Sequence, residues 1–244
     1  MASDFQVTNA ADANSGSVAE FTLGLILSLA KKLPQSRDGL RKEGWSIRPQ
    51  ITTFDLEGKT LGVLGMGRIG TAVARKASYG FGMKVLGYRR NLPGDICADY
   101  GILTSDLDKV IRNSDFLSIH LPYTKDTFHL VSCEKLELMK PDAYLLNLGR
   151  GEVVDQAALR ELLLSNRLAG AALDVFEGEI PDADDPLLHM DQVIATPHIA
   201  GLSKQAMERL SYQAALGITE VLEGRKVTYP VNHPEKYASD VSVA

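Results

Sequence analysis

One stretch, residues 60–90, constrains the fold more than any other part of the chain. A short apolar run leads into GMGRIG at residues 65–70, a helix-like segment follows, and a second apolar run covers residues 83–88. A glycine turn between a strand and a helix is the context in which GxGxxG indicates dinucleotide binding. Gly65 would permit the tight turn, Gly67 would let the backbone approach a pyrophosphate, and Gly70 would let the helix pack closely on the strand. An ordinary glycine turn is the alternative, and the flanking strands argue against it.

Two arginines, Arg89 and Arg90, follow the second apolar run, the first of them nineteen residues after Gly70. An NAD site places an acidic residue here, on the ribose hydroxyls. A carboxylate would repel a 2′-phosphate, whereas a guanidinium group can pair with it through two hydrogen bonds. The pair therefore predicts NADP in preference to NAD. The alternative is that both side chains are solvated arginines at the start of a surface loop.

The composition excludes several classes of protein. The chain has 244 residues, of which 45% are hydrophobic and 23% charged, as in ordinary globular proteins. A net charge of −5 argues against a nucleic-acid surface. Cys97 and Cys133 have no second Cys or His at metal-ligand spacing, so we expect reduced thiols in a cytoplasmic protein without a metal site. No apolar run is long enough to suggest a signal peptide or a membrane span.

Short apolar runs alternate with helical patterns along the rest of the chain, which indicates parallel strands covered on both faces. The predicted fold class is therefore α/β, a doubly wound parallel sheet (Rossmann fold) with about seven strands. Strands are predicted at 61–64, 83–88, 102–103, 116–120, 143–147, 171–176 and 193–196. Further helices are predicted at 95–100, 105–113 (with Ser105 as N-cap), 134–139, 155–164 (capped by Asp155) and 203–222.

A helix at residues 17–33 is expected to open with a capping box formed by Ser17 and Glu20. Its apolar residues surround most of its circumference, more than one sheet can cover, so we expect a homodimer in which this helix contacts a second copy. The predicted domain organisation is 1–54 for a leader and dimerisation helices, 55–202 for the dinucleotide-binding domain and 203–244 for a C-terminal helix and tail.

Polar residues follow several predicted strands, where ligands bind in such sheets. Arg150 can bind a carboxylate with its planar fork, His198 can transfer a proton near neutral pH, and Glu179 can stabilise the charged imidazole. Each has an ordinary alternative: a solvated arginine, a turn histidine and one acid among several in a loop. Asp174 could equally cap a neighbouring backbone turn. Their joint placement at strand ends favours a reaction site.

The motifs together resemble those of the D-isomer-specific 2-hydroxyacid dehydrogenases. The resembling stretches are Val18-Ala19-Glu20, residues 65–70, His120-Leu121-Pro122, NLGRGEVV at 147–154, LDVFEGE at 173–179 and TPHIAG at 196–201. The resemblance implies reversible hydride transfer between NAD(P)H and a small 2-oxo acid, with no nucleic-acid or membrane partner.

The resemblance also implies residue roles. Arg150 would hold the substrate's carboxylate and carbonyl, Glu179 would pair with His198, and Asp174 would contact the nicotinamide amide. The implied cofactor-binding residues are Gly65, Gly67, Arg68, Ile69, Gly70, Arg89, Arg90, Pro122, Thr127, Gly149 and Asp174.

Two features depart from the family pattern. Ile180 separates Glu179 from Pro181, where the family usually has Glu-Pro. The N-terminal substrate domain of the family has no counterpart before the Val-Ala-Glu helix, so we expect the cofactor-binding part of the enzyme, with impaired turnover. A regulatory module that binds a nucleotide without turnover is the alternative. The sequence does not identify the acid.

Overall fold

The computed structural model describes residues 5–10, 12–90 and 102–232. At its centre is a seven-stranded sheet in which every neighbouring pair is parallel, with strand order β3-β2-β1-β4-β5-β6-β7. The strands are β1 Thr60–Leu64, β2 Lys84–Tyr88, β3 Ile102–Thr104, β4 Phe116–Ile119, β5 Tyr144–Asn147, β6 Gly170–Leu173 and β7 Val193–Ala195. The predicted α/β class, the parallel sheet and the number of strands are confirmed.

The direction of strand addition reverses between β1 and β4, which are neighbours in the sheet although β2 and β3 lie between them in sequence. Leu64 at the end of β1 pairs with Ile119, and Ile119 pairs with Asn147 at the end of β5. The carboxyl ends of the central strands are therefore level. The segments that follow them emerge at one edge of the sheet, at the position where doubly wound folds bind ligands.

Seven α-helices and three 3₁₀ helices belong to the described ranges. The α-helices are α1 Ser15–Ala30, α2 Leu33–Glu43, α3 Arg68–Phe81, α4 Leu107–Asn113, α5 Cys133–Leu136, α6 Gln156–Leu164 and α7 Lys204–Leu222; the 3₁₀ helices are Gly44–Gln50, Gly151–Val153 and Pro186–Leu188. The helix predicted at 95–100, and Cys97 within it, lie outside the described residues. Cys133 is an exposed free thiol.

Of the two predicted helix caps, Asp155 is confirmed and Ser105 is not. Asp155 caps α6 and Ser203 caps α7, each accepting a hydrogen bond from the third residue after it. The N-cap of α4 is Asp106, whose carboxylate accepts from the Lys109 amide. The prediction of Ser105 was wrong, because its acidic neighbour takes the capping position.

The ends of α1 also differ from the prediction. The helix begins at Ser15, so Ser17 lies within its first turn and its hydroxyl bonds that of Ser203 at 2.7 Å. The predicted capping box was therefore wrong. α1 ends at Ala30 because Lys32 adopts a left-handed conformation with φ of 47°, and α2 starts with Pro34 in its first turn, where proline is tolerated.

Two apolar cores cover the opposite faces of the sheet. The first joins Val63 and Leu146 to α1 and α3, and the second joins Leu117 and Leu145 to α4, α5 and α6. Most of the apolar residues of α1 are buried in the first core, including Ile26, which is fully inaccessible. The argument that α1 requires a second copy to cover it was wrong, since the chain's own core covers most of its circumference.

Residues Val18–Ala200 form one compact unit, and the described residues up to Ser17 and from Gly201 onward form another. The second unit contains α7 and an isolated antiparallel bridge between Thr8 and Pro230. Neither α7 nor any other helix of the described ranges combines the length and apolar character needed to cross a bilayer. The predicted division at residues 54 and 202 stays a prediction.

Candidate functional site

The glycine turn after β1 depends on two close backbone approaches. Gly65 has φ of 99°, and a Cβ at this position would lie 2.7 Å from the His120 carbonyl oxygen. A Cβ on Gly70 would lie 2.1 Å from the Gly65 carbonyl oxygen. Because real Cβ atoms do not approach backbone atoms so closely, a side chain at either position would displace the turn or the start of α3.

Gly67 differs from the other two glycines because its Cβ position has no heavy atom within 4 Å. It is the N-cap of α3 and supplies no side-chain cap. The first backbone bond into the helix runs from the Thr71 amide to the Gly67 carbonyl, so the amides of Ile69 and Gly70 come before the first helical hydrogen bond. Open space beside these amides fits the pyrophosphate of a dinucleotide.

Arg89 and Arg90 follow β2 and are both exposed. A guanidinium nitrogen of Arg90 lies 2.8 Å from the Asp126 carboxylate, in the loop after β4. Arg89 has no ion-pair partner in the described part of the chain. The structure thus leaves Arg89 available to an anionic ligand and gives Arg90 a competing carboxylate.

The loop after β4 contains Pro122 and Thr127, both in the implied cofactor set. The Thr127 hydroxyl donates to the Pro122 carbonyl at 2.7 Å and lies 2.8 Å from the Thr124 amide, which donates to it. Thr127 is largely buried. Its hydroxyl therefore closes this loop and holds Pro122 in place.

The loop after β5 carries Arg150 between two tightly packed glycines. A Cβ on Gly149 would lie 2.6 Å from the Leu121 carbonyl oxygen, and one on Gly151 would lie 1.9 Å from the Phe176 backbone. Arg150 itself is exposed, and its guanidinium donates to the Gly149 carbonyl at 2.7 Å. The position of Arg150 is thus set by backbone packing on both sides.

Asp174 organises the loop that carries His198. Its buried carboxylate accepts from the Thr196 hydroxyl at 2.6 Å and from the amides of Ile199 and Ala200, both at 3.0 Å. The Asp174 carbonyl accepts from the His198 amide at 2.9 Å. This is the role of a cap for a neighbouring backbone turn. β6 ends at Leu173, so the strand predicted to reach residue 176 was too long.

Arg150, Glu179 and His198 line one cavity of about 330 Å³ together with Tyr123 and Glu152. Glu179 and His198 also line a second cavity of about 480 Å³, to which Asp174 contributes. Both residues have left-handed backbones, with φ of 67° and 54°, a conformation that costs energy outside glycine and clusters at functional sites. Among the described residues, no hydrogen bond joins the side chains of Glu179 and His198.

One histidine–carboxylate pair was missed by the sequence analysis. The His129 imidazole Nε2 lies 2.9 Å from a carboxylate oxygen of Glu177. The two residues are 48 positions apart, and neither stands in a motif that links them. Glu177 is one of several acids in the loop that also carries Glu179, but nothing in the sequence indicated which of these carboxylates bonds to a histidine.

His120, after β4, is a second titratable group that the sequence analysis did not explain. Its Nε2 lies 2.8 Å from the buried Ser118 hydroxyl, and its Nδ1 is shielded from solvent with no partner in the described residues. Burial lowers the pKa of His120 from 6.5 to about 4, because the charged imidazolium loses hydration that no neighbour replaces.

This lowered pKa predicts acid-sensitive stability. Between pH 6.5 and about 4 the unfolded chain binds a proton that the folded chain does not, so the free energy of unfolding falls as the pH falls through this window, by up to about 3 kcal/mol. Urea unfolding at several pH values measures this slope. His120→Gln should flatten it, whereas the control His189→Gln, at an exposed position, should leave it unchanged. An unchanged slope in His120→Gln would contradict the assignment.

A seven-stranded parallel sheet with a GxGxxG turn at its switch point defines a dinucleotide-binding domain of the Rossmann class. The model of the D-isomer specific 2-hydroxyacid dehydrogenase NAD binding domain matches residues 23–200. The chain belongs to this family.

Curated relatives support the assignment. A D-3-phosphoglycerate dehydrogenase of Methanocaldococcus jannaschii is 40% identical over 229 residues, which are 93% of this chain and 43% of that protein. A glyoxylate reductase of Korarchaeum cryptofilum is 39% identical over 212 residues, 86% of this chain and 64% of that protein. The chain thus spans roughly half the length of these relatives.

Solved structures share the architecture. A D-lactate dehydrogenase of Aquifex aeolicus, complexed with NAD and lactic acid, superimposes with a TM-score of 0.82 at 35% identity over 90% of this chain and 70% of that one. An NADPH-dependent glyoxylate/hydroxypyruvate reductase of Sinorhizobium meliloti, in complex with NADP and malonate, gives a TM-score of 0.83 at 31% identity over 93% of this chain and 70% of that one.

Proposed function

We propose that this chain is the cofactor-binding and catalytic part of an NAD(P)-dependent oxidoreductase that interconverts a small 2-oxo acid and its 2-hydroxy acid. The observation that supports it is the convergence of Arg150, Glu179 and His198 on one cavity. These residues follow strands whose carboxyl ends share an edge with the glycine turn. An anion-binding arginine and a histidine–glutamate pair are the groups that reduction of a 2-oxo acid requires.

In the proposed mechanism, Arg150 binds the carboxylate of the acid through its guanidinium N–H groups and orients the neighbouring carbonyl. His198 donates a proton from an imidazole N–H to the carbonyl oxygen, and takes it back in the reverse direction. Glu179 stabilises the imidazolium form. When bound, the nicotinamide cofactor supplies or accepts the hydride at the acid's C2.

Glu179 and His198 line the same cavities without a hydrogen bond between them. We propose that they pair when substrate closes the loop around Glu179, since catalytic hydrogen bonds often tighten only in the reacting complex. The buried Asp174 stabilises the loop of His198, because its carboxylate binds Thr196 before the histidine and the backbone amides that follow it. Any hydrogen bond from the nicotinamide amide to Asp174 would use a lone pair of its carboxylate that these three hydrogen bonds leave unoccupied.

The preferred cofactor is proposed to be NADP. Arg89 stands where an acidic residue would bind the ribose hydroxyls of NAD, and its exposed guanidinium has no carboxylate partner in the ranges described. Arg90 contributes less, because Asp126 already neutralises it. The proposed localisation is cytoplasmic, where an exposed free thiol such as that of Cys133 stays reduced.

The proposed activity is tested by loss of NADPH absorbance with a panel of 2-oxo acids: glyoxylate, hydroxypyruvate and pyruvate. A polypeptide of these 244 residues is expected to bind NADPH and to turn over at least roughly a hundredfold more slowly than a full-length relative, because small misplacements of the acid are costly in rate. Joining a relative's substrate domain should restore the rate. NADPH binding with no turnover in either form would favour the regulatory module instead.

We also propose a homodimer. The segment after α1 exposes Leu33, Leu40 and Trp45, the last with 75% of its surface accessible, and exposed apolar side chains in one segment are typical of a contact surface. Sedimentation at micromolar concentration should show a dimer. Trp45→Ser should shift the population toward monomer, with the remote Tyr79→Ser as its control. A stable monomer of the unmodified chain would refute the proposal.

A further inference from the structure

Three loop segments meet beside the cavity that contains Arg150. The His129 amide donates to the Glu152 carbonyl at 2.8 Å, and the Val131 amide donates to the Val153 carbonyl at 3.0 Å. On the other side, Gly151 is so close to the Phe176 backbone that a Cβ there would clash at 1.9 Å. The 3₁₀ helix Gly151–Val153 is thus enclosed between the segment that carries His129 and the segment that carries Phe176.

The His129–Glu177 bond connects the two outer segments. Its length is 2.9 Å, and the two side chains are 30% and 36% accessible, so the pair is only partly screened by water. The His129 ring is stacked on Phe128, with ring centroids 4.0 Å apart. His129 also has a left-handed backbone with φ of 45°. A non-glycine residue keeps this conformation only when its surroundings hold it there.

Glu177 lies in the turn that carries Glu179. The Glu179 amide donates to the Phe176 carbonyl at 3.1 Å, and Gly178 between the two acids has φ of 81°. The Glu177 amide donates to the Gln156 side chain at 3.0 Å. Glu177 is therefore tied at its backbone and at its carboxylate, and both ties determine where the turn presents Glu179.

We infer that His129 and Glu177 are a positioning pair, whose bond holds the turn of residues 176–179 so that Glu179 faces the cavity shared with Arg150 and His198. The pair also occupies the carboxylate of Glu177, which leaves Glu179 as the acid of this turn that is free to serve His198. This inference rests on the proposed function for its effect on rate. Its structural part, the hold on the turn, stands independently.

The test uses two variants that remove the His129–Glu177 bond and one conservative variant of the full chain. His129→Asn keeps a residue that tolerates a left-handed backbone but is too short to reach Glu177. Glu177→Ala removes the other partner, and His129→Gln keeps an N–H donor at similar reach. Lys135→Ala is the matched control, since the Lys135–Asp108 pair has similar accessibility, 30% and 45%, outside the site.

The first readout is hydrogen exchange at the Glu179 and Ile180 amides. Exchange should be about tenfold faster than in the parent in His129→Asn and in Glu177→Ala. The double variant should exchange no faster than either single variant, and His129→Gln should stay within about threefold of the parent. The second readout is turnover. In His129→Asn and in Glu177→Ala, kcat should fall about tenfold while the dissociation constant of NADPH stays unchanged. The control should alter neither readout.

The outcomes separate the inference from the proposed function. If no variant, including the parent, turns over, the proposed function fails and exchange still decides whether the pair holds the turn. Exchange in His129→Asn equal to that of the parent would overturn the inference, as would additive effects in the double variant. Faster exchange with unchanged kcat in a turning-over parent would show that the pair holds the turn without positioning Glu179, and would also overturn it.

Discussion

Replacing His198 by asparagine is expected to lower kcat by about a thousandfold while NADPH binding is retained, since a positioned proton donor contributes on the order of 10²–10⁴ in rate. The imidazole lines both cavities beside Glu179, and asparagine has no group that can transfer the proton. Asparagine also tolerates a backbone φ of 54°, which should leave the loop intact. Single-turnover oxidation of NADPH with glyoxylate measures the effect.

Glu179→Gln is the informative companion to this variant. It keeps a side chain of the same size at a position with φ of 67° but removes the charge that stabilises the imidazolium, so kcat should fall by a smaller factor, about tenfold to a hundredfold. The dissociation constant of NADPH should stay at the parent value in both variants. A His198→Asn variant with parental kcat would assign the proton to another group and would refute the proposed mechanism.

Changing Arg89 to aspartate is expected to reverse the order of cofactor affinity. The unmodified chain should bind NADPH more tightly than NADH. The variant loses the partner of the 2′-phosphate and gains a like charge, so the ratio of the two dissociation constants should change by about a hundredfold. Titration of the protein fluorescence with each cofactor measures both constants.

The matched control is Arg41→Asp, which makes the same change of charge at an exposed position on α2. It should leave the ratio of the two constants unaltered. A second variant, Asp126→Asn, releases Arg90 from its ion pair and should strengthen NADPH binding relative to NADH. Equal affinities for the two cofactors in the unmodified chain would remove the basis for the proposed NADP preference.

Local sequence patterns were sufficient to predict the sheet and the glycine turn. The strands are short apolar runs and most of the connections between them show a helical pattern, so class, strand number and parallel pairing follow from periodicity and from the length of the crossovers. Gly65 and Gly70 were predictable for a similar reason. The backbone path of a strand–turn–helix unit is nearly the same in every such unit, and it brings these two positions against other backbone atoms.

The partners of individual side chains were not predictable, because they depend on which segments the fold brings together. For Asp174 the sequence offered a contact with the nicotinamide, which stays a prediction, and the cap of a neighbouring turn, but it did not indicate that this turn is the loop of His198. Among the described residues, Glu177 and not Glu179 has a histidine partner, and that histidine is distant in sequence. Periodicity says which residues face a core, but it does not say which loop lies opposite a given carboxylate.

The burial of α1 likewise depends partly on its own sequence and partly on the segments around it. The sequence alone determined that α1 is apolar around most of its circumference, and this followed from its composition. Only the tertiary structure decided what covers it: α1 packs with α3 against one face of the sheet, and residues of both enter one core. The physical reason is that burial is a property of all the surfaces around a helix, and those surfaces come from segments distant in the chain.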